Sequence, residues 1–316
     1  MADSQRRWIL KAMCATWAGA VAHAAPRPSD PSTTSASTIT STFEARVLTS
    51  GDSDATRQIV AALGARLPLA RFDSDLKALR ERRGRAVYVA VGPSALKALV
   101  DSDIAAPILS LFCSNETFTR IANESHPSRG AESLTAIYAE ASPQAQMQLA
   151  RTIRGRHTRL GVLLGERTRH LQPSLESAAS DWDIDLTVLL IPDGNVIARA
   201  VAKLTQAEFI LTVPDRSIYT PDSVRDLLDA SYRQRQGVIG YSGTLVRAGA
   251  LAAAYPSLND IAAQLGATLD DLGSGRGFAR QYPRYWRVAV NDSVSQSLNI
   301  SIGSAARQLG NFPPPT

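Results

Sequence analysis

The turn Gly240-Tyr241-Ser242-Gly243-Thr244 contains the residue types of a catalytic nucleophile. In a G-x-S-x-G turn between a strand and a helix, a serine attacks an ester or amide after a histidine removes its proton. Thr244, however, stands where that turn needs its second glycine. All four histidines of the chain also precede Ser242, whereas an α/β-hydrolase has its histidine after the serine. We therefore expect Ser242 to contact a ligand, and these features disfavour the alternative of a serine hydrolase.

Patterns for phosphate and metal chemistry are incomplete as well. The glycine-rich stretch Gly273–Gly277 follows a helical pattern and leads to no helix, the reverse of a phosphate-binding P-loop. His157 and His170 share no helical face with carboxylates. Cys113 is the one cysteine outside the N-terminal segment, which excludes a zinc cluster. The sequence thus predicts no catalytic residue, no metal and no cofactor.

Short polar loops follow six apolar runs, and a ligand is expected there. In open α/β sheets, ligands bind beyond the carboxyl ends of the strands. Six such loops in register indicate two facing rims with a cleft between them, the usual form of a small-molecule site. The candidate ligand-binding residues are Ser50, Gly51, Asp52, Gly92, Pro93, Ser94, Ser114, Asn115, Glu166, Arg167, Asp215, Tyr219, Tyr241 and Ser242.

The elements that would position these loops alternate along the chain. Runs that are apolar throughout indicate strands covered on both faces, and their alternation with helical spacing indicates parallel sheets. The expected strands are Ala45–Thr49, Ala86–Val91, Ile108–Phe112, Leu160–Leu164, Leu186–Ile191, Phe209–Val213 and Val238–Tyr241. The expected helices include Asp54–Leu67, Ser94–Val100, Pro143–Ile153, Asn195–Leu204 and Pro221–Gln236. These are too many units for one compact sheet, so the predicted fold class is α/β with two Rossmann-like lobes joined by hinge crossings.

The N-terminus has the pattern of an export signal. Arg6 and Arg7 precede the apolar stretch Ala12–Ala22 and small residues around Ala24, the order of a secretory signal, and the paired arginines also approximate a twin-arginine signal. The apolar stretch is shorter than the roughly 20 residues of a membrane span. The net charge of +5 is scattered, which disfavours nucleic acid as a partner. We expect a periplasmic protein.

The domain organisation follows from these patterns. Residues 1–25 are expected to be a signal peptide, and residues 26–42, rich in Pro, Ser and Thr, a disordered tether. The first lobe is expected at 43–133 plus about 245–283, and the second at 134–244 plus about 284–316. The crossing is placed near His126–Gly130, and Val246–Ala252 is expected to lead back toward the first lobe.

From Arg46 to Ile302 the chain resembles the periplasmic substrate-binding proteins of ABC transporters. The nearest branch is an uncharacterised group related to tryptophan- and tyrosine-type binding proteins, with the periplasmic-binding-protein-like type I fold. The most specific stretches are Val213–Tyr219, Gly240–Ser242, Arg247–Ala252 and Tyr282–Asn291.

The resemblance implies a non-catalytic monomer that closes two lobes over one small polar or amino-acid-like molecule and then docks on an ABC permease. It implies that Gly92, Pro93 and Ser94 meet the carboxylate of the ligand, and that Asp215 from the facing lobe pairs with an ammonium. Asp215 as a turn or capping residue, and Tyr219 and Tyr241 as core residues, remain open alternatives. A periplasmic sensor that feeds a signalling partner is the alternative function.

Overall fold

The computed structural model describes residues 44–81, 86–124, 134–192, 197–273 and 279–314. The expected signal peptide, the tether, the crossing region His126–Gly130 and most of the glycine-rich stretch 273–277 lie outside these ranges. All described residues belong to one compact unit of the chain. Within the described ranges, no helix is long and apolar enough to cross a membrane.

Five parallel strands form the sheet of the first lobe. They are β1 (Glu44–Leu48), β2 (Arg71–Asp73), β3 (Ala86–Val91), β4 (Ile108–Leu111) and β5 (Leu134–Ile137), in the order β2-β1-β3-β4-β5. All six residues of β3 are buried. Its alternate side chains enter two different cores, with Tyr88 in one and Val89 in the other. This sheet is therefore covered on both faces, as an uninterrupted apolar run predicts.

Four helices of the first lobe connect these strands. They are α1 (Asp54–Arg66), α2 (Leu76–Arg80), α3 (Pro93–Val100) and α4 (Asn115–Glu124). The side chain of Ser53 caps α1 by accepting a hydrogen bond from the Thr56 amide. Gly92 precedes α3 with φ of 85°, a left-handed conformation that glycine adopts without strain, and Pro93 fixes the first helical turn.

Seven strands form the sheet of the second lobe. They are β6 (Thr158–Leu164), β7 (Ile184–Leu190), β8 (Phe209–Leu211), β9 (Gly237–Gly240), β10 (Ala252–Tyr255), β11 (Trp286–Val290) and β12 (Gly310–Asn311). Their order is β12-β11-β10-β9-β8-β6-β7. The strands from β6 to β10 pair in parallel, whereas β11 and β12 add an antiparallel edge.

The helices of the second lobe cover both faces of this sheet. They are α5 (Pro143–Arg154), α6 (Gln172–Asp181), α7 (Ile197–Val201), α8 (Pro221–Arg233), α9 (Gly243–Ala248), α11 (Asp292–Ser297) and α12 (Ser304–Arg307), with a 3-10 helix at Glu166–Leu171. Ser142 and Thr220 cap α5 and α8. The two sheets confirm the predicted architecture of two α/β lobes.

Three segments connect the lobes, and their positions correct the expected boundaries. The first follows β5, because β5 pairs with β4 in the first sheet although residue 134 was expected to begin the second lobe. The second follows Tyr255, because α9 and β10 stay in the second lobe; the prediction that Val246–Ala252 leads back was therefore wrong. The third precedes β11, after Gln281 has bridged to Ile137 of the first sheet.

Helix α10 (Leu258–Gly273) shows why these boundaries are hard to place from sequence. It follows the second crossing and packs Ile261, Leu265 and Leu269 into the core of the first lobe. The alanines of β10, by contrast, are fully buried in the second sheet between β9 and β11. Only Pro256 and Ser257 connect β10 in the second sheet to α10 on the first lobe. Two residues are too few for a change in composition to mark this boundary in the sequence.

An ion pair between a buried carboxylate and a partly exposed guanidinium joins two of the crossings. The guanidinium of Arg287, on β11, donates to both oxygens of Asp260 at 2.7 and 2.8 Å, and Asp260 is fully buried at the start of α10. The Ser257 amide donates to the same carboxylate at 2.8 Å. Because α10 packs on the first lobe and β11 belongs to the second sheet, this ion pair fixes the base of the hinge.

Candidate ligand-binding site

A cavity of about 290 Å³ lies between the lobes at the carboxyl ends of their strands. Loops after β3, β4 and β5 line it on one side, and loops after β8 and β9 line it on the other. Its lining residues are Pro93, Phe112, Ser114, Glu116, Thr117, Ala139, Glu140, Pro214, Asp215, Arg216, Tyr219, Tyr241 and Ser242.

Glu140 lines this cavity, three residues beyond β5. The side chain is buried, with 5% of the residue exposed. Its Oε1 accepts a hydrogen bond from the Asn115 amide at 2.9 Å, but its Oε2 has no hydrogen-bond partner among the described residues. Burial raises the pKa of Glu140 to about 7, and the nearby charge of Glu116 adds to this effect. Glu140 is therefore an acid that changes charge near neutral pH.

A second buried carboxyl group, Glu116, lines the same side of the cavity. It lies in the first turn of α4, where a negative charge is favoured by the helix dipole. Its Oε2 accepts from the Thr117 hydroxyl at 2.9 Å, and its Oε1 forms no hydrogen bond but lies 3.8 Å from Nε of Arg120. Two buried acids, Glu140 and Glu116, thus line the cavity.

The facing carboxylate, Asp215, is fully engaged within its own lobe. Its Oδ1 accepts from the amide and the hydroxyl of Ser217 at 2.9 and 2.6 Å, and its Oδ2 accepts from the Thr168 hydroxyl at 2.7 Å. The loop packs so closely that a Cβ at Gly165 would lie 2.7 Å from Oδ2. Asp215 therefore stabilises the junction between the loop after β8 and the 3-10 helix, as the turn-residue alternative expects.

The other groups on this side are two tyrosines, one arginine and one serine. The Tyr219 hydroxyl donates to the Leu163 carbonyl at 3.2 Å, and burial raises the pKa of this tyrosine. Tyr241 is only partly buried. Arg216 is exposed and forms no ion pair with any described residue. The Ser242 hydroxyl caps α9 by accepting from the Leu245 amide at 3.3 Å.

A hydrogen bond closes the edge of the cleft. Nε2 of His170, in the 3-10 helix, lies 2.8 Å from Oδ1 of Asn115, at the start of α4. The side-chain nitrogen of Asn115, Nδ2, donates to the Tyr282 hydroxyl at 3.3 Å. Asn115 thus connects the first lobe both to the second lobe and to the third crossing.

Six of the fourteen sequence-predicted residues line the cavity: Pro93, Ser114, Asp215, Tyr219, Tyr241 and Ser242. The other eight lie outside its lining. Ser50 accepts a hydrogen bond from the Ala95 amide, and Gly51, Asp52 and Ser94 are exposed. Glu166 pairs with Arg169 on the surface, and Arg167 is exposed beside it. Gly92 forms the turn that precedes α3. Asn115 forms the hydrogen bond to His170 between the lobes.

Sequence reasoning did not select Glu140, Glu116, Thr117 or Arg216 as site residues. Three of them lie in or next to loops that were recognised. The sequence predicts the crossing before β5, so the loop after this strand, which contains Glu140, is not among the loops expected at the cleft. The available signal was a charged residue between the apolar run Leu134–Ile137 and the Ser142-Pro143 helix start.

Known proteins resemble this chain in structure rather than in sequence. No family model matches the chain, and no curated protein matches it. A ligand-free, open substrate-binding protein with adhesive properties from Clostridium difficile has a TM-score of 0.62 at 12% identity, over 85% of this chain and 98% of that one.

Two further solved structures give the same result. A conserved domain protein from Vibrio cholerae O1 biovar El Tor has a TM-score of 0.56 at 17% identity, over 84% of this chain and 98% of that one. An ABC domain in complex with L-Trp from Streptococcus pneumonia has a TM-score of 0.55 at 14% identity, over 84% and 97%. This likeness shows that the chain shares its two-lobed α/β fold with these three structures.

Proposed function

We propose that this protein captures a small polar or amino-acid-like molecule between its two lobes, without catalysis, as the exported solute-binding component of an ABC uptake system. The observation that carries the proposal is the cavity of about 290 Å³, which both lobes line with the loops at their strand ends. A cavity of this size suits a single small molecule. Its position between two lobes means that hinge opening would admit the ligand and closure would enclose it.

The chemistry of the lining supports binding over catalysis. A nucleophilic serine needs a base within hydrogen-bond reach. The Ser242 hydroxyl instead caps α9, and the described histidine nearest the cleft, His170, contacts Asn115. Two of the similar solved structures are a substrate-binding protein and an ABC domain in complex with L-Trp, which agrees with binding.

A cavity-filling variant tests capture. Ala139 lines the cavity, so Ala139→Trp should fill it, whereas Ala61→Trp places the same side chain on the exposed face of α1 and is the matched control. In a thermal-shift screen of amino acids, amines, small carboxylates, sugars and nucleosides, a ligand should raise the Tm of the wild type and of Ala61→Trp. The same ligand should leave the Tm of Ala139→Trp unchanged. Equal stabilisation of both variants, or no stabilising ligand at all, would contradict the proposal.

The transport role is tested in cells. Deletion of the gene should abolish high-affinity uptake of the ligand found in the screen, and the chain with Ala61→Trp should restore it while Ala139→Trp should not. Retained uptake in the deletion strain would contradict the transport role and would favour the periplasmic sensor.

A further inference from the structure

We propose that the ligand of this cavity is a zwitterion held in one orientation, with its protonated amine against Glu140 of the first lobe and its anionic group on Arg216 of the second. The inference rests on the proposed function and adds the residues that hold the two charged ends of the ligand and the orientation that they impose. This orientation is the reverse of the one that the resemblance implies, in which Asp215 receives the amine.

The first step is the unsatisfied oxygen of Glu140. Buried polar atoms in folded proteins almost always have a hydrogen-bond partner, and one without a partner costs stability. Oε2 of Glu140 lacks a partner among the described residues and belongs to a side chain in the cavity wall. A ligand that donates a hydrogen bond there would supply the missing partner.

The surroundings of Glu140 favour a positively charged group of the ligand. Glu116 lines the same cavity, and its charge opposes ionisation of Glu140. Its Oε1 forms no hydrogen bond but is paired with Nε of Arg120 at 3.8 Å. An opposite charge near a buried carboxyl group favours its ionised form, so a cation beside Glu140 would offset the effect of Glu116. Within the described residues, no group of three His, Cys, Asp or Glu side chains could hold a metal ion. A protonated amine is therefore the cation that fits best.

Asp215 is a poorer site for the amine than Glu140. Both of its oxygens are occupied by three donors from Thr168 and Ser217. An amine at Asp215 would have to replace at least one of these internal hydrogen bonds. Glu140 offers an oxygen at no such cost.

The fourth step places the anionic end of the ligand. Arg216 is adjacent to Asp215, lines the cavity from the second lobe and forms no ion pair with a described residue. Guanidinium groups bind carboxylates and phosphates through paired hydrogen bonds. Glu140 lies in the first crossing and is held by the Asn115 amide of the first lobe, whereas Arg216 belongs to the second lobe. A zwitterion between them would therefore connect the lobes and favour closure.

The experiment compares matched probes rather than one presumed ligand. The panel contains the amino acids, the amine that each gives on decarboxylation, the acid that each gives on deamination, and neutral sugars and nucleosides. Affinities are measured by calorimetry for the wild type, Glu140→Gln and Arg216→Gln. Glu124→Gln on the exposed end of α4 and Arg167→Gln on the exposed 3-10 helix are the matched controls.

We expect an amino acid to bind the wild type most tightly, and its amine and its acid each to bind at least tenfold more weakly. Glu140→Gln should weaken the amino acid and the amine at least tenfold and leave the acid unchanged. Arg216→Gln should weaken the amino acid and the acid and leave the amine unchanged. Both control variants should bind as the wild type does. Circular dichroism checks that the Glu140→Gln protein is folded, so that a loss of binding is not attributed to a loss of structure.

Several outcomes would overturn the inference. They are an unchanged amino-acid affinity in Glu140→Gln, the opposite pattern between the two variants, or no saturable binding by any amine-bearing probe. If a neutral or purely anionic probe binds instead and Ala139→Trp abolishes that binding, the inference is wrong while the proposed function stands. If no probe of any class binds, both are wrong.

Discussion

Two buried acids on opposite sides of the cleft, Asp215 and Glu140, differ in how their oxygens are satisfied. Only 2% of Asp215 and 5% of Glu140 is exposed. Asp215 accepts three hydrogen bonds from its own lobe. Glu140 accepts one from the Asn115 amide and keeps one oxygen without a partner among the described residues. The two acids are thus similarly buried but differ in how many hydrogen bonds their carboxyl oxygens accept.

The difference lies in the hydrogen bonds that the neighbouring serines form. Ser217 stands two residues after Asp215, where its amide and hydroxyl can reach the carboxylate, and this is a common turn arrangement. Ser142 stands two residues after Glu140, but its hydroxyl caps α5 by accepting from the Ala145 amide and forms no hydrogen bond with the carboxyl group. An acid satisfied by its own loop stabilises the scaffold, whereas a buried acid left with a free oxygen lowers stability and is typical of a functional site.

The largest effect is expected from removing the satisfied acid. Asp215→Ala should lower the free energy of unfolding by about 4 kcal/mol, because three charge-assisted hydrogen bonds, each worth roughly 1.5–3 kcal/mol and not fully additive, are lost together. Urea denaturation at pH 7 measures this. Ser94→Ala, at an exposed position outside the cavity lining, is the control and should change stability little. A loss below about 1 kcal/mol would show that Asp215 is not the scaffold residue described here.

The next largest effect is a gain in stability when the carboxyl group of Glu140 is removed. A pKa of Glu140 raised from 4.5 to about 7 means that the unfolded chain ionises this group before the folded protein does. Stability is therefore lost as pH rises from 4.5 toward 7, by about 3 kcal/mol in full. Glutamine does not titrate and can keep the hydrogen bond from the Asn115 amide, so Glu140→Gln should be more stable than the wild type at pH 8.

Denaturation of Glu140→Gln and wild type at pH 4 and at pH 8 checks this prediction. The stability difference between them should be about 3 kcal/mol larger at pH 8 than at pH 4. Glu124→Gln, an exposed acid of α4, should show no comparable change between the two pH values. A Glu140→Gln protein that is less stable at pH 8 would mean that the carboxylate has a partner that stabilises the fold.

The same contrast shows what the sequence could and could not predict. The apolar runs predicted β3 at its observed bounds and β8 and β9 to within two residues, because strands buried on both faces leave a continuous signal. Polar loops at strand ends predicted a cleft, and six candidate residues line the observed cavity. These features depend on local sequence.

The features that depend on topology were not predictable in this way. Whether β5 and β10 join one sheet or the other depends on contacts with strands far along the chain. Glu140 was missed for that reason, since its loop faces the cavity only because β5 belongs to the first sheet. The satisfied state of Asp215 depends on Thr168, which lies 47 residues away, and no local pattern shows that contact.

A smaller effect concerns the pH dependence of binding. If Glu140 binds an amine as a carboxylate, affinity should rise with pH as the ligand-free group loses its proton near pH 7. A pKa of about 7 predicts about tenfold tighter binding of the best amine-bearing probe at pH 8 than at pH 6. Nearby groups with raised pKa values stay uncharged over this range. They are Cys113, Tyr138, Tyr241 and Tyr282.

Calorimetry of that probe at pH 6, 7 and 8 measures the dependence, with wild type and Glu140→Gln compared under identical buffers. The variant should bind with an affinity that is nearly independent of pH. Equal pH dependence in both proteins would assign the effect to another group, and the contrast between Glu140 and Asp215 would then lose its functional meaning.

The smallest effect is expected at the exposed edge of the cleft, where the lobes are joined by a hydrogen bond rather than by a ligand. Nε2 of His170 lies 2.8 Å from Oδ1 of Asn115. An exposed hydrogen bond contributes about 0.5–1 kcal/mol, so His170→Ala should weaken ligand binding about two- to fivefold by favouring the open state. His170 is the better residue to change, because Asn115 also contacts Tyr282 and holds Glu140 through its amide. Arg167→Ala, on the same 3-10 helix, is the matched control.

Small-angle scattering separates the two ways in which His170→Ala could act. If the hydrogen bond favours closure, the ligand-free variant should have a larger radius of gyration than the wild type, and saturating ligand should remove the difference. Arg167→Ala should match the wild type in both states. A variant that binds more weakly with no change in its ligand-free dimensions would place His170 at the ligand itself, and the cleft would then extend beyond the cavity between Glu140 and Arg216.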